Sequence, residues 1–165
     1  MSSVLSERLD MGQIELMFRN HRNEPPFKIF LLSPPVLRKR RTEKTLEAMS
    51  RNVPVTSLLY LGAVLEKAGR RVQISEAETF PELKEEIEEF SPHMVGITAT
   101  TSQMLQAVKT AELVKKVNPE IIVVGGGPHM SFMYEEVLNE SMFDIIVIGA
   151  GEKPLLKLTE NVPLQ

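Results

Sequence analysis

Short apolar runs alternate along this chain with longer stretches in which apolar residues recur every three or four positions. The runs are FKIFLLS (27–33), RVQIS (71–75), HMVGITA (93–99), IIVVGGG (121–127) and DIIVIGAG (144–151), each ending in small or turn residues. They are short and most are rich in Val and Ile, which predicts strands; three are apolar nearly throughout, the mark of a strand covered on both faces. The stretches between them predict helices. In 55–68, Leu58, Leu61, Leu65 and Ala68 share a face and Gly69 offers a stop. The next helix carries Leu83, Ile87 and Phe90, and a third opens near Ser102, carries Met104, Val108, Ala111 and Val114, and ends before Asn118 and Pro119. Shorter helical patterns lie at 131–140 (Met133, Val137, Leu138) and 153–160 (Leu155, Leu158).

Strand and helix in strict alternation predict right-handed crossovers and a parallel sheet. The expected fold is α/β, a doubly wound, Rossmann-like or flavodoxin-like sheet of five parallel strands in the order 2-1-3-4-5, with helices on both faces. In such a sheet a ligand binds at the topological switch point, outside the carboxyl ends of strands one and three. Two segments fall outside the repeat. Residues 1–26 show a weak helical pattern (Leu5, Leu9, Ile14, Met17, Phe18) and are expected to form an extra helix or a loosely ordered arm ahead of a domain spanning 27–165. The connection from Pro34 to Val53 is far longer than the two to six residues usual for a strand-to-helix link, and length at the ligand end is often functional.

Composition narrows the chemistry. An apolar fraction of 42% with 25% charged residues supports one packed domain in 165 residues. A net charge of -3, with both signs dispersed, argues against nucleic acid as a partner. There is no Cys, which excludes a disulfide, a thiolate metal site and a cysteine-held iron–sulfur cluster within these residues. No apolar run approaches membrane-spanning length and residues 1–10 do not read as a secretory signal, so the cytoplasm is the expected location, with no membrane partner.

The unusual residues sit where the strands end. Ser33-Pro34-Pro35 follows strand one, Thr98-Ala99-Thr100-Thr101-Ser102 strand three, Gly125-Gly126-Gly127-Pro128-His129 strand four, and Gly149-Ala150-Gly151-Glu152 strand five. Glycines admit close backbone approach, and hydroxyls donate and accept. Turns and helix caps favour the same residues, so one such loop means little; four together on the ligand side point to a binding site. FKIFLLSPP offers no acidic metal ligands for a phosphoacceptor site. The Gly149 run lies at the wrong strand for a dinucleotide fingerprint and lacks its third Gly, while Glu76 and Glu78 alone are weak support. Two prolines remove backbone donors from the place of a flavin-phosphate loop.

These residues resemble the cobalamin-binding domain that precedes the catalytic domain in many cobalamin-dependent radical SAM enzymes. The likeness covers about 27–160: a first strand with Ser33-Pro34-Pro35, a long loop, PVTSLLYLGAVLEKAGRRVQI, PHMVGITATTSQMLQAVKTAELVKKVNPEIIVVGGGPH, and FDIIVIGAGEKPLLKL. The resemblance implies a corrin ring across the carboxyl ends of the strands. Ser33, Pro34, Pro35, Thr98, Thr100, Thr101, Ser102, Gly125, Gly126, Gly127, Gly149, Gly151 and Glu152 would then line its lower face and nucleotide tail, with His129 close enough to approach it.

Two departures qualify that implication. Cobalamin-dependent methyltransferases and mutases carry Asp-x-His-x-x-Gly after strand one, whose His takes the place of the cofactor's own base on cobalt. His21, His93 and His129 are the three histidines here and none lies in that loop, so the resemblance implies a base-off corrinoid without that ligand. The radical SAM reaction also needs a Cys-x-x-x-Cys-x-x-Cys cluster site, which is missing. The expected function is therefore a corrinoid-binding module, not catalytic alone, with cobalamin as cofactor and a radical SAM catalytic domain or subunit as partner. The rival expectation is a cofactor-free interaction or sensory module of the same fold. Arg38-Lys39-Arg40-Arg41 in the long loop reads first as a solvated run, and otherwise as a contact for the tail phosphate or an acidic surface.

Overall fold

A computed structural model describes residues 4–7, 27–35, 54–75 and 77–160. It contains six strands, β1 (Val4–Glu7), β2 (Lys28–Leu32), β3 (Arg71–Ile74), β4 (Met94–Thr98), β5 (Ile122–Gly126) and β6 (Ile145–Ile148). The helices are α1 (Pro54–Lys67), α2 (Phe80–Phe90), α3 (Met104–Val117), α4 (Pro128–Phe132), α5 (Tyr134–Glu140) and α6 (Glu152–Glu160), with a 3-10 turn at Thr101–Gln103. The sheet runs β1-β6-β5-β4-β2-β3, and all pairings from β3 to β6 are parallel. The five parallel strands thus follow the expected order 2-1-3-4-5. The switch point lies between β2 and β4, whose following connections leave toward opposite faces of the sheet.

Strand parity sorts the core into two layers, because successive side chains point to opposite faces. Phe30 and Leu32, Val95 and Ile97, Val123, and Ile146 pack with α2, α3, α4 and α5 through Leu83, Ile87, Ala107, Ala111, Met130 and Val137. Ile29 and Leu31, Met94, Ile122 and Val124, and Ile145 and Val147 pack on the other face with Leu58 and Leu65 of α1 and Leu155 and Leu158 of α6. Burial on both faces explains why the strands read as continuous apolar runs.

Local chemistry fixes both ends of α2. Thr79 caps α2: its Oγ1 accepts from Glu82 N at 3.4 Å, and its own N donates to Glu82 Oε2 at 3.2 Å. That helix closes at Ser91, in the left-handed region with φ 50, whose N–H donates to Ile87 O at 2.9 Å. At the amino ends of β5 and β6, Asp144 Oδ2 accepts from Val123 N at 2.7 Å and from Lys115 Nζ at 2.6 Å, pinning α3 to the sheet. Across the α1/α6 face, Arg70 Nη2 donates to Thr159 O at 2.6 Å.

Three local expectations change. Val4–Glu7 is neither helix nor free arm: it pairs antiparallel with Ile145–Ile148 and makes a sixth, edge strand. The row of unpaired N–H and C=O groups on β6 offers a partner that a weak helical pattern does not outweigh. The rest of that segment, and Arg38–Arg41 with most of the long loop, lie outside the described residues. The expected helix at 131–140 is two helices broken at Met133 (φ -111, ψ 29), which leaves Met133 41% exposed instead of inward. In α3, Ala111 and Val114 are buried and Met104 packs against the core as expected, but Ala107 is fully buried where the spacing pointed to Val108, which is only half-buried.

Candidate functional site

At the carboxyl end of the sheet, on the α1/α6 face, the packing opens into a cavity of about 450 Å³. Its floor is the parity set of four strands: Leu31 of β2, Gly96 and Thr98 of β4, Val124 and Gly126 of β5, and Val147 of β6. One wall is α1, through Ser57, Leu58, Tyr60 and Leu61, and the other is the start of α6 with Glu152 and Leu155. The volume suits a small-molecule cleft, typically roughly 300–1,000 Å³.

Two floor glycines shape this slot differently. At Gly96 a Cβ would fall 2.7 Å from Leu31 Cδ2, so the missing side chain lets Leu31 lie across β4. At Gly126 the nearest atom to an added Cβ is Val147 O at 3.9 Å, so the space above it is clear. Gly127 is held by its backbone: φ is +103, and a Cβ would lie 2.8 Å from Ala99 O. Gly125 adds backbone to the lining, but its missing side chain faces the opposite layer, where a Cβ would meet Ile146 Cδ1 at 2.5 Å and Met130 Sδ at 2.6 Å.

The mouth is a set of tied loops. Gln103 bridges the switch point: Nε2 donates to Ser33 Oγ at 3.2 Å, and Oε1 accepts from Thr100 N at 3.1 Å and Thr100 Oγ1 at 3.0 Å. Thr100 and Ser102 hydroxyls are 3.1 Å apart. Thr101 Oγ1 meets His129 Nδ1 at 3.2 Å, linking the β4 and β5 loops. Ser131 joins the β5 and β6 loops, its Oγ donating to Gly127 O at 2.9 Å and accepting from Gly149 N at 3.1 Å.

Of the residues singled out from sequence, Thr98, Thr100, Gly125, Gly126, Gly127, Gly149, Gly151 and Glu152 line the cavity, as do Ala99 and Ala150. Ser33, Thr101, Ser102 and His129 surround its mouth through the bonds above without lining it, and Pro34 and Pro35 are buried beside Ser33 and do not line it either. His93 is at the opposite end of β4, stacked on Phe27 at 5.0 Å and accepting from Lys28 N at 2.9 Å, a packing role. Sequence reasoning missed Gln103, the α1 wall and Leu155. Leu58, Leu61 and Leu155 carry the signal of core positions, and only the glycine opposite them reveals that the core is left unfilled.

A family model for the B12 binding domain matches residues 48–159. The chain belongs to the B12-binding domain family. An uncharacterized methyltransferase of Pyrococcus horikoshii is 34% identical to this B12-binding domain over 139 residues, 81% of this chain and 29% of that protein. Anaerobic magnesium-protoporphyrin IX monomethyl ester cyclases are similar too: that of Rubrivivax gelatinosus at 42% over 82 residues (49% of this chain, 15% of the cyclase), and that of Cereibacter sphaeroides at 32% over 113 (65% and 18%). The chain spans less than a third of the length of these curated relatives. Among solved structures, a pilus assembly-related protein of Burkholderia pseudomallei superposes with a TM-score of 0.50 at 12% identity, covering 84% of this chain and 92% of the other, a likeness of fold alone. The resemblance to a cobalamin-binding domain drawn from the loop motifs is thus what the comparisons show. Among the described residues no helix is long and apolar enough to cross a membrane.

Proposed function

We propose that this domain holds a base-off corrinoid at the carboxyl end of its sheet and is not catalytic alone, serving as the cobalamin-carrying part or partner of a cytoplasmic radical SAM methyltransferase-type enzyme. The observation that carries the reading is the slot over Gly126: a mainly apolar cleft of about 450 Å³ with a cleared floor, at the switch point of a B12-binding fold. The broad corrin cannot enter so small a space, whereas the flat base of its nucleotide tail matches it. The tail then runs down over Gly126 and Gly127 beside Thr98, Gly149, Gly151 and Glu152. The corrin, fringed with amides, rests on the rim of neutral donors and acceptors built by Ser33, Thr100, Thr101, Ser102 and His129, with Pro34 and Pro35 stiffening the first loop and Gly125 supplying backbone. A base lodged in the slot cannot also ligate cobalt, which is the base-off state. When bound, cobalamin supplies a cobalt centre for methyl transfer or radical chemistry; this chain's residues bind and orient it.

A second reading, a protein-interaction module without cofactor, draws on exposed apolar residues near the same end of the sheet, Leu105 (62% exposed) in the first turn of α3 and Phe132 (85%) closing α4. The two readings part in one experiment. Purified protein is mixed with hydroxocobalamin or methylcobalamin, passed over gel filtration, and the protein peak is scanned in the visible. Near-stoichiometric cobalt with a base-off spectrum is expected; a colourless peak would reject the corrinoid reading and favour the second.

A further inference from the structure

The sheet has two edges and treats them differently. Beyond β6, the antiparallel strand Val4–Glu7 takes up the outward hydrogen-bonding groups. On the other side β3 pairs with β2 alone among the described residues, so its outer row of N–H and C=O groups lies open. Arg71 N and Ser75 N donate inward, to Phe27 O at 3.1 Å and Leu31 O at 2.9 Å. Residues bonded to one neighbour alternate along a strand, so the N–H and C=O of Val72 and Ile74 point outward. The usual guards of an open edge are missing: Val72-Gln73-Ile74 holds no Pro and no charge, and its register with β2 has no bulge. Beside it on α1, Leu59 stands one turn before Gly62, which faces Val72 and Ile74, and is 55% exposed.

This edge is complementary to itself. Arg71, Gln73 and Ser75 share the α2 side of the strand, opposite to Val72 and Ile74. At the start of β3 stands the exposed Arg71, its guanidinium over the Phe90 ring at 5.5 Å. Just past its end Ser75 Oγ donates to Glu86 Oε2 at 2.6 Å and holds a carboxylate there. When a second copy is laid antiparallel, Gln73 opposite Gln73, the positive end of each strand meets the negative end of the other.

We infer that two copies of this chain join edge to edge through β3, about a two-fold axis normal to the sheet. Val72 of one copy and Ile74 of the other exchange both backbone hydrogen bonds, twice by symmetry, and their side chains pair on the α1 face, where Leu59 is covered. On the α2 face the two Gln73 amides meet at the axis, and Arg71 lies opposite Ser75 of the second copy and pairs with Glu86 there. An isologous contact of this kind closes at two copies. The strands run opposite ways across the axis, so the carboxyl ends of the two sheets point apart and both cavities stay open. The pairing therefore stands independently of the corrinoid reading.

Sedimentation equilibrium of the full chain tests this. At concentrations on the order of 10–100 μM the parent is expected to sediment at twice the mass of one chain. Arg71→Glu sets two carboxylates against each other at both ends of the contact, and should raise the dissociation constant of the dimer by roughly tenfold or more; Glu86→Arg should do the same with two cations. The double variant exchanges the charges and is expected to return to within about fivefold of the parent. Val72→Pro removes an outward N–H that the edge of one copy alone does not use, and should give a folded monomer. A parent that stays monomeric, or a dimer that neither Arg71→Glu nor Val72→Pro weakens, would overturn the inference, as would a double variant that dimerises no more tightly than the single ones.

Discussion

Gly125 and Gly126 are neighbours in one strand and lack a side chain for opposite reasons. On the α2–α5 face, the space a Cβ would need at Gly125 is already taken by Ile146, Met130 and Phe143, the last at 3.0 Å. On the α1/α6 face, the space at Gly126 is clear to 3.9 Å. One layer is filled to the end of the strands and the other stops short, and the unfilled length is the cavity. A glycine run at the end of a parallel strand therefore holds two kinds of information, close packing and ligand access, which separate by parity.

Substituting each glycine tests that contrast. The largest effect is expected from Gly125→Val, which forces three extra carbons into a packed layer and should lower stability by about 3 kcal/mol, read as a fall in the urea midpoint at unchanged slope. If Gly125→Val were as stable as the parent, the two faces would not differ in packing as described. Gly126→Val should do the reverse, changing the urea midpoint by less than about 1 kcal/mol while weakening hydroxocobalamin binding by roughly tenfold or more in a visible-absorption titration. A large loss of stability there, with binding preserved in the folded fraction, would make Gly126 a core residue and close the slot as a site. The smallest effect is expected at the mouth. Gln103→Leu removes the bonds to Ser33 and Thr100 and should lower stability by about 1 kcal/mol, with a few-fold loss of hydroxocobalamin affinity as the loops on either side of the switch point come apart. An unchanged affinity would show that the rim does not need that bridge.

Much of this was legible in the chain. The five parallel strands, their order and most helices followed from apolar runs alternating with helical spacing, since burial on both faces leaves no polar stripe in FKIFLLS or IIVVGGG. The loops that gather around the cavity were picked out in the sequence as well, because strands one, three, four and five, which are neighbours in the sheet, all end in small or hydroxyl residues. The edge strand Val4–Glu7 was not, since four residues hold too little pattern and their pairing depends on the open edge of β6. Gln103 was equally silent: a lone polar residue at a helix start gives no sign that its amide reaches Ser33, seventy positions away.

The order of elements, the two buried faces and the end of the sheet at which the cavity opens were determined by the sequence itself, because they depend on periodicity and turn residues, which are local. Which glycine faces a packed layer and which an open one, that Leu58 and Leu155 wall a slot instead of closing it, and that Thr98 turns toward the slot while Ile97 turns away were decided by the tertiary structure. Those outcomes depend on strand parity and on how closely α1 and α6 approach the sheet, and that distance is set by the summed packing of residues far apart in the chain.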